Sequence, residues 1–103
     1  MAKLAIVFII HNNFGRLKFM LEQLDVSAYE DFEVFVIDNK SSDYYRDILM
    51  DYLPEKEFKY DVNVVELEDK QSIAYCEDRA KEYITKKDIN NTAIYNLGWN
   101  QKI

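Results

Sequence analysis

Four short apolar runs alternate along the chain with three stretches in which apolar residues recur at helical spacing. Ala5 to Ile10 is an unbroken run rich in β-branched residues, the pattern of a strand buried on both faces. Beyond Asn12-Asn13 the period changes: Leu17, Met20, Leu21 and Leu24 form the stripe of an amphipathic helix. Phe32 to Ile37 is a second buried run. Tyr45, Ile48, Leu49, Tyr52 and Leu53 make a second helical stripe, which Pro54 is expected to stop. Val62, Val64, Val65 and Leu67 predict a third strand. Ser72 can cap a third helix with Ile73, Cys76, Ala80, Tyr83 and Ile84 facing inwards, and Thr92 to Leu97 predicts a fourth strand.

Strict alternation of strands and helices implies parallel strands joined by crossovers. The expected fold class is therefore α/β: a Rossmann-like three-layer α/β/α domain with a mainly parallel four-stranded sheet, β-α-β-α-β-α-β. A length of 103 residues suits one domain, residues 1–103, with one core. Two glycines and one proline leave little room for disorder.

Charge narrows the partners. A formal net charge of −6, with no basic stripe, disfavours nucleic acid and basic attachment to membranes. The first apolar run is far shorter than the roughly 20 residues that span a bilayer, and His11-Asn12-Asn13 follows it at once. No transmembrane segment or signal peptide is expected. The single cysteine, Cys76, excludes an internal disulfide and suits a cytoplasmic location, with a buried core thiol favoured over a reactive one.

In such a sheet ligands gather beyond the carboxyl ends of the strands. The candidate loops are His11-Asn12-Asn13, Asp38 to Asp43, Glu68 to Ser72 and Gly98 to Asn100. With glycines only at 15 and 98, neither a dinucleotide fingerprint nor a phosphate-binding P-loop is present. One His and one Cys make a zinc site implausible. His11 could act as a base, but a lone loop histidine is more often a hydrogen-bonding residue. Asp38, at the tip of a buried strand, can accept from a base N–H or a ribose hydroxyl. The plainer reading is a turn that Asp38 holds, with Ser41, Ser42 or Asp43 capping the second helix.

Val7-Phe8-Ile9-Ile10-His11-Asn12-Asn13, Leu21-Glu22-Gln23-Leu24 and Phe32 to Asp43 together resemble the start of a family 2 glycosyltransferase. In that family a first strand ends in a Thr/Asn-Tyr-Asn-like turn. A Leu-rich helix then leads to a strand ending in Asp-Asp/Asn-x-Ser-x-Asp. Lys70 to Ala80 is similar to the family's Asn-x-Gly-x-Ala-x-x-x-Asn-x-Gly segment, with Ala74 as its one identity. The resemblance implies a GT-A type nucleotide-sugar-binding half, incomplete within this chain. It places His11, Asn12, Asn13, Asp38, Asn39, Lys40, Lys70 and Arg79 at the nucleotide, with a nucleoside diphosphate sugar as partner.

It also implies Mn²⁺ or Mg²⁺ held by an Asp-x-Asp-like pair after the fourth strand. That place reads Tyr95-Asn96-Leu97-Gly98-Trp99-Asn100, with no carboxylate, and the family's catalytic base lies in a later half. The expectation is a donor-binding half inactive by itself. The alternative is a non-catalytic nucleotide- or partner-binding domain whose exposed edge strands could support a homodimer.

Overall fold

A computed structural model describes residues 4–99. The elements are β1 (Leu4–His11), α1 (Phe14–Val26), β2 (Phe32–Asp38), α2 (Asp43–Glu55), β3 (Val62–Glu66), α3 (Ile73–Thr85) and β4 (Asn91–Trp99). All neighbouring strands are parallel, in the order β3-β2-β1-β4. The chain thus builds outwards from β1 through β2 to β3, then returns to place β4 on the other side of β1. This reversal between β1 and β4 is the switch point at which open α/β sheets form a crevice.

Period-2 alternation along the strands divides the core in two. Ile6, Phe8 and Ile10 of β1, with Val34 and Val36 of β2, pack against Leu17 and Leu21 of α1 and Leu49 of α2. Ala5, Val7 and Ile9, with Phe35 and Ile37, pack on the opposite face against Cys76, Ala80 and Ile84 of α3. Apolar residues on both faces of β1 and β2 explain their unbroken hydrophobic runs. Tyr83, expected to face inwards, lies on the exposed side of α3, because the stripe 76-80-84 already fills the contact.

One helix boundary and one capping bond differ from expectation. Pro54 sits inside α2, which ends one residue later at Glu55. In the last turn the missing proline N–H forfeits only one ladder bond, so the helix tolerates it. Ser42 occupies the N-cap of α2, yet none of the three expected capping side chains makes a cap hydrogen bond. Ser72 does cap α3, accepting from the Tyr75 backbone N–H at 3.1 Å.

Candidate functional site

The three strand ends at β1, β2 and β3 are stitched into one polar surface. The sheet pairing continues into the loops: Asn39 N–H donates to the Ile10 carbonyl (2.9 Å), and Leu67 N–H donates to the Asp38 carbonyl (3.0 Å). Asn39 then joins the second loop to the third. Its Nδ2 donates to the Gln71 carbonyl at 2.9 Å, and its Oδ1 accepts from the Gln71 N–H at 2.8 Å. This side chain is 0% exposed, and both of its polar atoms are occupied by one backbone unit.

Asn12 joins the first loop to the second. Its backbone N–H donates to Ser41 Oγ (2.9 Å), and its Oδ1 accepts from the Ser42 N–H (2.7 Å). The Ser42 bond satisfies an orphan donor at the start of α2, the task the sequence assigns to a neighbouring Ser or Asp. Asn12 achieves this at φ +55°, a conformation asparagine enters more readily than most residues. Lys40 also takes positive φ, +59°, at the exposed tip of the second loop.

Asp38 is 2% exposed, and its Oδ1 accepts from the Ser41 N–H at 3.0 Å. The aspartate therefore holds the turn, as the plainer reading expects. His11 Nδ1 lies 2.8 Å from the Asn39 carbonyl; a carbonyl only accepts, so Nδ1 carries the proton. Asn13 turns away from this cluster. It precedes α1 without capping it, and its Nδ2 donates to the Leu97 carbonyl of β4 at 2.9 Å, tying the start of α1 to that strand.

His11, Asn12, Asp38 and Asn39 are thus in direct or one-step contact. Lys40 stands exposed at the rim, and Lys70 lies next to Gln71 in the third loop. Arg79, two turns into α3, lines a separate cavity with Glu66 and Gln71. Ser41 and Ser42, expected as helix caps, instead bond Asn12, and nothing in the sequence singles out Gln71 within its candidate loop. Gln71 contributes through its backbone, which no side-chain motif can signal.

At the end of β4 the pairing slips. Ile9 pairs with Asn96, but His11 pairs with Trp99, so β4 carries one extra residue. Gly98 supplies the required backbone at φ +81°, and its N–H donates to Asn96 Oδ1 at 2.9 Å. Asn100 lies outside the described residues. A divalent cation needs hard oxygen ligands, preferably carboxylates. Among its described residues this turn offers one side-chain amide oxygen, already accepting from the Gly98 N–H, and no carboxylate, so they do not fit the metal the family implies. Among the described residues no group of three or more His, Cys, Asp or Glu could hold a metal ion.

Cys76 is fully buried against the sheet, and burial raises its thiol pKa, so it takes no part in this surface. No helix among the described residues is long and apolar enough to cross a membrane.

Comparison with curated proteins and with solved structures returns no match. The family model described as glycosyl transferase family 2 matches residues 5–75, from β1 into the first turn of α3, and leaves β4 outside. The matched span takes in all three stitched loops and more than half of the sequence, and on that ground the chain belongs to glycosyl transferase family 2.

Proposed function

We propose that the surface formed by the β1, β2 and β3 loops binds the nucleotide of a nucleoside diphosphate sugar, and that this chain alone does not transfer the sugar. The observation that carries this reading is the Asn12 and Asn39 stitching. Two buried or half-buried amides hold three loops in one geometry at the sheet end where α/β proteins take ligands. Preorganisation of this kind lowers the ordering cost of binding.

Asp38 and the His11 edge would face the base or ribose. Lys40 and Lys70 would supply positive charge to a diphosphate that the acidic chain otherwise repels. Asn39 acts by positioning Gln71 rather than by touching the ligand. We assign no catalytic residue: the β4 turn holds no carboxylate, and no base is identified near it. A cytoplasmic location fits the lone buried thiol.

Thermal shift with UDP, GDP, dTDP and their sugars, with and without Mn²⁺, tests this. Ligand at 100 times Kd adds about 2.7 kcal/mol, several degrees for a domain of this size. No shift with any nucleotide at millimolar concentration would sink the reading. Asp38→Ala should remove the shift.

One observation favours a second, non-catalytic reading with self-association. The edge strand β4 has no charged residue from Asn91 to Trp99, although 31% of the chain is charged. Beside it Leu4, Phe8, Met20, Tyr29 and Tyr95 line an apolar groove of about 250 Å³. Uncharged edges invite strand pairing. Sedimentation showing a dimer without nucleotide binding would favour this reading; a nucleotide-binding monomer would remove it.

A further inference from the structure

The two edges of the sheet are built differently. β3 is five residues long, ends on Glu66 and is flanked by Asp61 and Glu68. β4 is nine residues long, and the sequence around it carries no charge from Ile89 to Gln101. Folded sheets guard their edges with short strands, charges, prolines or bulges. β3 has the first two. β4 has only a bulge near its end, where Ile9 pairs with Asn96 and His11 with Trp99, so its backbone is regular from Asn91 to Asn96. Among the described residues no strand pairs with its outer side.

The faces of β4 are also unequal. Ile94 packs into the core under α3. Ala93 and Tyr95 face the α1 side, where the Tyr95 ring lies 5.9 Å from Phe8 and stays 49% exposed. Between them and α1 runs the groove of about 250 Å³, with Met20, Leu24 and Tyr29 on its far wall. An open backbone edge and an apolar groove thus lie side by side along one strand.

Charge selects what can cover them. Copies of a chain with net charge −6 repel one another unless they meet on a neutral surface. β4 against β4 sets no like charges face to face. β4 against the β3 edge of another copy would bring in Glu66 and leave a free β4 on every added copy, so growth would never close. Antiparallel pairing of β4 with itself closes at two copies. Its twofold axis stands perpendicular to the sheet, so both α1 faces lie on the same side and the two grooves merge into one trough.

Resting on the self-association reading above, we propose that a second copy of this chain covers β4 by antiparallel β4–β4 pairing about a twofold axis at Ile94, giving one eight-stranded sheet. This register uses the regular stretch of the strand. It sets Ile94 against its own copy on the α3 face, and small Ala93 opposite large Tyr95 on the α1 face, where such cross-strand pairs stabilise a sheet. Thr92 falls opposite Asn96. The strands of the two copies run in opposite directions, so the loops after β1, β2 and β3 of each remain open.

Sedimentation and amide hydrogen exchange of the full chain without nucleotide, from micromolar to near-millimolar concentration, test this. The expected result is association that saturates at two copies. Alternate amides from Asn91 to Asn96 should exchange more slowly as concentration rises, while those of Val62–Glu66 do not change. Tyr95→Lys places ammonium groups on neighbouring positions of the paired strands and should raise the dimer Kd at least about tenfold. Tyr44→Lys, at a 68% exposed site on α2, should leave it unchanged. A dimer protected elsewhere than β4, or one indifferent to Tyr95→Lys, overturns the β4 pairing while self-association stands. Growth beyond two copies overturns the closed pair. A monomer at near-millimolar concentration overturns the pairing and the self-association reading together. Exchange of the unaltered chain decides the case even if Tyr95→Lys fails to fold.

Discussion

Replacing Asn39 with alanine removes both hydrogen bonds that tie the β2 loop to the β3 loop. The side chain is fully buried, and its partners are the N–H and C=O of one backbone unit, Gln71. Each bond contributes about 1 kcal/mol net, and each backbone group left without a partner adds a desolvation penalty of about 1–3 kcal/mol. Gln71 is only half-buried, so water recovers most of this penalty. A total of roughly 2–3 kcal/mol follows, equivalent to a Tm fall of about 10–20 °C for a domain of this length. Asn39→Asp separates the two bonds. It keeps the acceptor for the Gln71 N–H but sets a carboxylate against the Gln71 carbonyl. It should therefore destabilise at least as much as alanine, and less at low pH where the acid is protonated. Urea unfolding at pH 7 and pH 4 measures both variants. A loss below about 0.5 kcal/mol for Asn39→Ala would show that the stitching carries no energy, and the preorganised surface with it.

Other consequences are more local. Glu33 is buried, which alone raises its pKa, but hydrogen bonds from Lys87 (2.8 Å) and Asn63 (3.0 Å) outweigh burial and hold it below the ordinary 4.5. A depressed folded pKa gives stability that is fully present above the unfolded value and is lost as pH falls through the folded one. Glu33→Gln should therefore flatten the acid limb of a stability profile below about pH 4.5, and an unchanged limb would refute this. Cys76, fully buried with its pKa raised, should react with a thiol reagent only as fast as the chain opens, so rapid labelling of folded protein would contradict its placement. Asn12→Gly keeps the positive φ but loses the Ser42 contact. Urea unfolding should show a cost of about 1 kcal/mol, and Asn12→Ala should cost more, because it must also hold φ near +55°.

Most of the architecture was legible because β1 and β2 are buried on both faces, so their residues form unbroken apolar runs that few other structures need. α1 and α3 showed their inward stripes for the related reason that each packs one face on the sheet. Tyr83 was misplaced because helical spacing alone cannot tell a stripe's centre from its margin. The candidate loops were legible in position, since strand ends are set by the fold, but the division of labour among their residues was not. Asp38, Asn39 and Asn12 read alike as polar loop residues. Only the three-dimensional contacts separate the amide that holds a neighbouring backbone from the side chains left at the rim. Asn13 shows the same limit: next to Asn12 in sequence, it reaches across 84 positions to β4. The resemblance named Arg79 but not its surroundings, because residues 66–71 and 79 meet only through the packing of α3 on β1 and β2.

The central claim, a nucleotide seated on the loops after β1, β2 and β3, is tested most directly by two-dimensional amide NMR of the labelled chain titrated with GDP. The account predicts saturable shifts concentrated at residues 11–13, 38–42 and 66–72, with the N-terminal ends of the strands and the α1–α2 face unmoved. Saturable shifts centred on the β4 groove instead, or no shifts at millimolar GDP, UDP or dTDP, would contradict it.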